Sequence, residues 1–215
     1  MCPDISVITF VTIREAFRGV WRENRYPRER RNYSEIVMKF EIIDNYLPPN
    51  EFEDVRDYFV GQDFPWYVNQ AKVMHVARMI DPELQRKEIY NWQMVNYVYG
   101  GGQPLGPQYE KVLSIVNKLQ PRALIRIKAN LNHHTDRLQE YDFHTDCGEY
   151  GSNEFEGATT AIYYLNDNNG YTYFQDGTKV DSKANRLLKF KVNTPHAGTS
   201  CTDQKFRVVL NFNYF

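Results

Sequence analysis

Hydrophobic and polar positions alternate along the last residues of the chain, 206–214. One set of alternate positions holds Val208, Leu210, Phe212 and Tyr214, and the other holds Arg207, Val209, Asn211 and Asn213. Strict alternation in a segment rich in β-branched and aromatic residues is typical of a strand with one face in the core. The sequence therefore predicts a terminal strand whose second face is largely polar.

The same analysis predicts the remaining elements in chain order. Strands are predicted at residues 40–44, 66–69, 91–99 and 124–131, and helices from Pro48 to about Val60 and at 109–119. After residue 144, short strands are predicted at 159–165, 171–174, 178–180, 186–191 and 206–214, separated by Asn-, Asp- and Gly-rich turns. Many short strands preceded by a few helices favour a mainly β fold with supporting helices (α+β), built on a double-stranded β-helix, or jelly-roll, core.

Composition divides the chain at about residue 37. Residues 1–37 contain seven Arg and no Lys, and carry a formal charge of +2, whereas residues 38–215 carry −3. We interpret residues 1–37 as an Arg-rich, disordered extension and 38–215 as the folded domain. A targeting or binding arm, or a true start at Met38, are the alternatives.

Charge and cysteine content narrow the function classes. A net charge of −1 over 215 residues does not favour a phosphate-backbone partner. No apolar run approaches the roughly 20 residues of a membrane span, so no membrane association is expected. Three cysteines, an odd number, indicate a reducing compartment such as the cytoplasm.

A candidate metal site follows from three residues. His144 and Asp146, two positions apart, would point to the same side of a strand, and His196 follows fifty residues after Asp146. Two imidazoles and one carboxylate on one face of a metal leave open positions opposite, which favours non-haem Fe(II). The His-x-Asp pair alone is a weak signal. Arg207, eleven residues after His196 and on the polar face of the last strand, requires an anionic partner.

The order of these residues resembles the 2-oxoglutarate- and Fe(II)-dependent oxygenases: His-x-Asp, about fifty residues, His, about ten residues, Arg, then a terminal strand. Three further segments are similar to motifs of the prolyl-4-hydroxylase-like branch. They are residues 162–166 (Ile-Tyr-Tyr-Leu-Asn), 170–174 (Gly-Tyr-Thr-Tyr-Phe) and 185–190 (Asn-Arg-Leu-Leu-Lys-Phe). The resemblance runs from about residue 38 to the end of the chain.

The resemblance implies a set of ligands. Fe(II) would be held by His144, Asp146 and His196, and the distal carboxylate of the co-substrate 2-oxoglutarate would meet Arg207, with Tyr163 and Thr172 nearby. O₂ would be the oxidant, with succinate and CO₂ released, and ascorbate would keep the iron reduced. Compact members of this group also occur in phages. If this protein is encoded by a phage, its expected location is the host cytoplasm.

The sequence departs from the family pattern at the co-substrate pocket. Asn132 stands where many relatives carry a tyrosine, so either it takes that role or the pocket lacks one hydroxyl. Lys205 has a spacing that also suits the basic residue; Arg207 is favoured because a guanidinium grips a carboxylate bidentately. Asn211 would either line the pocket or fill a polar barrel mouth.

Two other stretches remain open to interpretation. His133 and His134 would face opposite ways on a strand and cannot both bind one metal, so a solvated loop pair is expected; His75 is expected at the surface. Residues 71–90 are charged and show no apolar face. In related oxygenases this segment is a mobile lid, and a plain surface helix is an equal alternative.

The expected activity is hydroxylation of a substrate C–H bond. The leading substrate is a peptidyl proline or other protein side chain, with a protein or peptide as the partner. A nucleic-acid base is a weaker alternative because residues 38–215 are net acidic, and a small metabolite stays open. A catalytically silent β-barrel binding protein is disfavoured because the His-x-Asp, His and Arg set is complete.

Overall fold

The computed structural model describes residues 40–70, 72, 89–147 and 154–215. The predicted extension at 1–37, its boundary with the domain, His75 and most of the predicted lid lie outside the described residues. The strands are β1 (Glu41–Ile43), β2 (Tyr67–Asn69), β3 (Gln93–Gly100), β4 (Gln103–Pro104), β5 (Leu124–His133), β6 (Thr159–Tyr164), β7 (Tyr171–Phe174), β8 (Lys179–Asp181), β9 (Arg186–Lys191), β10 (His196–Gly198) and β11 (Phe206–Tyr214). The helices are α1 (Pro49–Val60), α2 (Gln108–Lys111) and α3 (Leu113–Leu119).

The strands form two antiparallel sheets. The larger sheet has the order β1-β9-β6-β11-β5-β3-β2, with β4 paired to β3, and the smaller has the order β10-β7-β8. β11 lies at the centre of the larger sheet, where Arg207 pairs with Asn132 of β5 and Leu210 with Tyr163 of β6. The predicted mainly β architecture with a jelly-roll core and supporting helices is confirmed.

Two hydrophobic cores hold the layers together. The first lies between the larger sheet and the helices, and joins Phe52 and Phe59 of α1 to Leu210 and Phe212 of β11. The second lies between the two sheets and includes Ile162, Tyr164, Phe174, Val180, Leu188, Phe190 and Val209. Strands of the larger sheet contribute to both cores because successive side chains leave opposite faces.

Several predicted elements differ in detail. The helix expected at 109–119 is two short helices separated at Val112, whose φ of −100° and ψ of 1° leave the helical region. β5 extends to His133, so the solvated-loop interpretation of that residue is wrong. β10 was missed because three residues carry no readable alternation.

The described helices also bear on membrane association. None of them is long and apolar enough to cross a bilayer.

Candidate functional site

A cavity of about 410 Å³ opens between the two sheets. The larger sheet contributes the inward-facing residues of β5 and β11, and the smaller sheet contributes Thr172, His196 and Gly198. Most of the sequence-predicted site residues line it: Asn132, His144, Asp146, Thr172, His196, Arg207 and Asn211. The jelly-roll core therefore brings residues from distant parts of the chain into one space.

His144, Asp146 and His196 form a compact cluster in this cavity. One potential ligand atom from each lies within 4.8 Å of the others. The two histidines come from segments joined by an isolated antiparallel bridge, in which each backbone N–H donates to the other carbonyl at 3.0 Å. The sequence analysis placed His144 and Asp146 on a strand, but they do not lie on a regular one: His144 forms only the isolated bridge, and Asp146 lies in a bend.

Backbone carbonyls set the orientation of both imidazole rings. Nδ1 of His196 lies 3.0 Å from the carbonyl of Thr194, and Nδ1 of His144 lies 3.4 Å from that of Asp142. Since a carbonyl can only accept, each Nδ1 carries a proton, which leaves Nε2 as the ring atom of each histidine that could bind a metal. Burial, assisted by the neighbouring His196, lowers the pKa of His144 to about 4. The ring is therefore neutral near pH 7 and able to bind a metal.

The Asp146 carboxylate is held by three donors. Thr160 Oγ1 donates at 3.0 Å and Asn213 Nδ2 at 3.2 Å to one oxygen, and Arg126 Nη2 donates at 3.3 Å to the other. Burial opposes ionisation, but His196, Arg126 and these hydrogen bonds outweigh it and hold the pKa of Asp146 below its usual range. Two imidazoles and one ionised carboxylate are a donor set that fits a divalent transition metal such as Fe(II).

Arg207 lies in the same cavity as the cluster. Its side chain is 2% exposed, and it donates from Nε to Ser182 Oγ at 2.7 Å and from Nη2 to Thr172 Oγ1 at 3.0 Å. Burial lowers the pKa of this guanidinium, and no described carboxylate forms an ion pair with it. Lys205 is exposed at the start of the strand. The geometry favours Arg207 over Lys205 as the anion-binding residue.

Gly170 makes room for this arginine. A Cβ added there would lie 2.5 Å from the carbonyl oxygen of Ser200 and 2.8 Å from Cδ of Arg207. Any side chain at residue 170 would displace the backbone or the guanidinium. The glycine of the 170–174 motif thus has a packing role at the pocket.

The structure does not support the expected role of Tyr163. Its ring lies in the core beneath α1, edge-on to Phe52, and its hydroxyl donates to Asn185 Oδ1 at 2.6 Å. Tyr164 instead faces the smaller sheet: its hydroxyl donates to Thr172 Oγ1 at 2.8 Å, and the Arg207 guanidinium lies 5.5 Å from its ring centre. The side-chain alternation of β6 separates the two tyrosines onto opposite faces.

Two asparagines have unpaired oxygens in the cavity lining. Oδ1 of Asn132 and Oδ1 of Asn211 are buried and have no hydrogen-bond partner among the residues that the structure describes. A buried carbonyl oxygen without a donor costs free energy, which a bound ligand or water could recover. Of the two alternatives for Asn211, the cavity lining is the one observed.

Three cationic residues of the lining were not predicted. Arg126 and Lys128 occupy alternate positions of β5, in phase with Asn130 and Asn132, and the inward alternation of that strand could have identified them. Lys72 also lines the cavity; its ammonium lies over the Tyr141 ring without a hydrogen-bond partner. Burial, together with Arg207, lowers the pKa of Lys72 well below its usual value.

The adjacent histidines 133 and 134 have other neighbours. His133 stacks on Trp92 with ring centres 4.1 Å apart. His134 is exposed, and its Nδ1 lies 3.0 Å from the carbonyl of Gln204. Neither is part of the cluster of His144, Asp146 and His196.

No family model matches the chain, and no curated protein matches it. Solved structures do match. A prolyl hydroxylase from Trichoplax adhaerens, in complex with a peptide of the hypoxia inducible factor oxygen degradation domain, is 15% identical and aligns with a TM-score of 0.53 over 81% of this chain and 83% of that one.

Two further structures have similar scores. A member of the 2OG-Fe(II) oxygenase family from Burkholderia pseudomallei is 10% identical, with a TM-score of 0.54 over 81% of this chain and 84% of that chain. HygX from Streptomyces hygroscopicus, with nickel, 2-oxoglutarate and hygromycin B bound, is 12% identical, with a TM-score of 0.50 over 82% of each chain. At these identities the likeness concerns the fold, and it agrees with the motif order: this chain has the jelly-roll fold of the 2-oxoglutarate- and Fe(II)-dependent oxygenases.

Proposed function

We propose that the protein is an Fe(II)- and 2-oxoglutarate-dependent dioxygenase that hydroxylates a substrate C–H bond. The observation that carries the proposal is the pairing, in one cavity, of the His144–Asp146–His196 cluster with a buried arginine that has no carboxylate partner among the described residues. A metal chelator with a distal carboxylate, such as 2-oxoglutarate, meets both requirements at once.

The chain's own residues would divide the work as follows. His144 and His196 present their Nε2 lone pairs because their Nδ1 protons are donated to backbone carbonyls, and Asp146 stays ionised. Bound Fe(II) supplies the O₂ chemistry that oxidative decarboxylation of 2-oxoglutarate to succinate and CO₂ requires. Preorganised donors of this kind need no rearrangement when the ligands arrive.

Arg207, in the same cavity, would bind the co-substrate. It would hold the distal carboxylate by charge-assisted hydrogen bonds, while Thr172 and Ser182 fix the position of the guanidinium. Ile162 and Val209 add apolar surface to the cavity lining. The amide groups of Asn132 and Asn211 offer further hydrogen bonds to a ligand.

For the substrate we propose a peptidyl proline or another protein side chain. The motif resemblance to the prolyl-4-hydroxylase-like branch supports it, as does the peptide bound to the Trichoplax prolyl hydroxylase. The hygromycin B bound to HygX supports a second candidate, a small molecule.

A turnover assay tests the proposal. The protein is purified without oxygen, supplied with Fe(II), 2-oxoglutarate and ascorbate, exposed to O₂, and assayed for succinate with and without proline-containing peptides. Succinate formation above that of an Asp146→Ala control is expected, with a further increase when a true substrate is present. No difference between the parent and the control would contradict the proposal.

A further inference from the structure

We infer that the substrate of this enzyme carries an anionic group, a carboxylate or a phosphate, which is bound by Lys128 and Arg126 on the cavity wall beside the metal cluster. The inference rests on the proposed function, because it takes the cavity that holds the cluster as the place where the substrate reacts.

Both cations lie on the inner face of β5. Lys128 pairs in register with Asn211 of β11 on one side and with Tyr97 of β3 on the other. Arg126 pairs with Asn213, whose amide also donates to Asp146. Lys128 and Arg126 are therefore fixed by the strand pairing close to the candidate metal ligands.

Lys128 has no described carboxylate as an ion-pair partner. Its ammonium lies 5.5 Å from the ring centre of Tyr97, and the side chain is partly buried in the cavity wall. Partial burial of an unpaired cation costs free energy that a bound anion would offset. Arg126 uses Nε for Asn213 and Nη2 for Asp146, and has no described partner for Nη1.

The described lining of the cavity stays positively charged when the charges of the proposed metal and 2-oxoglutarate are included. Among the described residues that line the cavity, four are cationic (Lys72, Arg126, Lys128 and Arg207) and one is a carboxylate, Asp146. A divalent metal and the 2-oxoglutarate dianion cancel each other. Even with Lys72 uncharged, these described lining residues keep a surplus of two positive charges, although the protein as a whole has a net charge of −1. A focused positive field of this kind raises the local concentration of anions.

The strand register places these cations apart from Arg207. Arg207 pairs with Asn132, which lies four residues along β5 from Lys128 and six from Arg126, and its hydrogen-bond partners are Thr172 and Ser182. Lys128 instead contacts Tyr97, which is 47% exposed. Lys128 and Arg126 are thus available to a second ligand that enters past β3.

Matched probes test the inference. The protein is loaded with Mn(II), and water-proton relaxation of the ion is recorded, with and without 2-oxoglutarate, during titration with two pairs of capped amino acids. One pair is the acetylated amides of aspartate and asparagine, and the other those of O-phosphoserine and serine. The two pairs separate a carboxylate from a phosphate preference.

We expect the anionic member of at least one pair to bind on the order of tenfold or more tightly than its neutral twin, since charge-assisted hydrogen bonds are the stronger class. Lys128→Met should remove most of that difference, whereas Lys128→Arg should retain part of it. Lys205→Met is the matched control, because that lysine is exposed outside the cavity, and the preference should survive in it.

Equal binding of the twins, no binding of any probe, or an undiminished preference in Lys128→Met would overturn the inference. The proposed function has its own readout in the same experiment, the titration with 2-oxoglutarate. A protein that binds 2-oxoglutarate but does not distinguish the twins contradicts only the inference. A protein that fails to bind 2-oxoglutarate contradicts the proposed function, and the titrations made without it still test the cationic wall.

Discussion

The two faces of strand β11 differ in what they contact: one packs in the hydrophobic core and the other lines the cavity. On one face Val208, Leu210 and Phe212 pack against the helices in a continuous apolar core. On the other face Arg207 and Asn211 line the cavity, and Asn213 supports the candidate metal ligand Asp146. One strand thus supplies both stability and chemistry.

The face of β11 to which a residue belongs therefore decides whether a substitution there affects stability or ligand binding. A change on the apolar face should reduce the free energy of unfolding and leave ligand binding intact, because its contacts are with α1 and α3. A change on the cavity face should do the reverse, because Asn211 Oδ1 has no hydrogen-bond partner, and Arg207 no carboxylate partner, among the described residues. The following predictions test this separation, from the largest expected effect to the smallest.

Asp146→Ala should abolish metal binding and turnover. Loss of a single residue that merely supports a ligand typically costs 10–100-fold in metal affinity, and loss of the ligand itself should cost more. Anaerobic titration with Fe(II) measures the affinity, and thermal unfolding without metal shows whether the fold is retained. Asp146→Asn is the second variant, because it keeps the shape of the side chain beside Arg126. Parent-like Fe(II) affinity in both would show that Asp146 is not a ligand.

Leu210→Ala should lower the free energy of unfolding by about 2–5 kcal/mol, since it deletes a fully buried side chain from the core. Its KM for 2-oxoglutarate should stay close to that of the parent. Denaturant unfolding and steady-state kinetics measure the two quantities. Asn211→Ala, the next residue on the opposite face, is the matched control and should show little loss of stability. A large change in KM for Leu210→Ala would break the separation of the two faces.

Arg207→Ala should raise the KM for 2-oxoglutarate on the order of tenfold or more, because hydrogen bonds to a charged group are worth about 1.5–3 kcal/mol. Lys205→Ala should change the same KM much less, since that side chain is exposed. Initial rates of succinate formation over a range of 2-oxoglutarate concentrations give both values. The opposite order of effects would move the carboxylate site to Lys205.

Replacing the two adjacent tyrosines of β6 by phenylalanine should give the smallest effects, and different ones. Tyr163→Phe loses the bond to Asn185 and should cost about 1 kcal/mol of stability with no change in KM. Tyr164→Phe loses the bond to Thr172, which also contacts Arg207, and should raise the KM for 2-oxoglutarate a few-fold. The same two measurements, made on both variants, check this. A KM effect confined to Tyr163→Phe would restore the role that the motif resemblance implied.

The sequence predicted the fold and most of the residues in the cavity. The alternation in 206–214 identified the two faces of β11, and the order of His144, Asp146, His196 and Arg207 identified the group of folds. These signals are visible because each depends on chemically distinctive residues at fixed spacing.

The motif resemblance pointed to Tyr163, whereas Tyr164 is the tyrosine of β6 that contacts Thr172 and lies near Arg207. β6 is buried on both faces, so its apolar run carries no alternation, and a shift by one residue exchanges the faces. Lys128 and Arg126 were hidden for another reason. Cations on a strand are usually exposed, so the alternation that places them in phase with Asn130 and Asn132 was not taken as a sign of a cavity.

The backbone bridge between His144 and His196 has a consequence for the stability of the protein. Because it joins segments far apart in the chain, an ion bound to both imidazoles would act as a removable cross-link closing a long loop. Such a cross-link is present in the native state and absent from the unfolded chain, so the metal should raise the unfolding temperature in proportion to the logarithm of its concentration. The stability of the protein would then depend on the supply of the metal that this cluster binds.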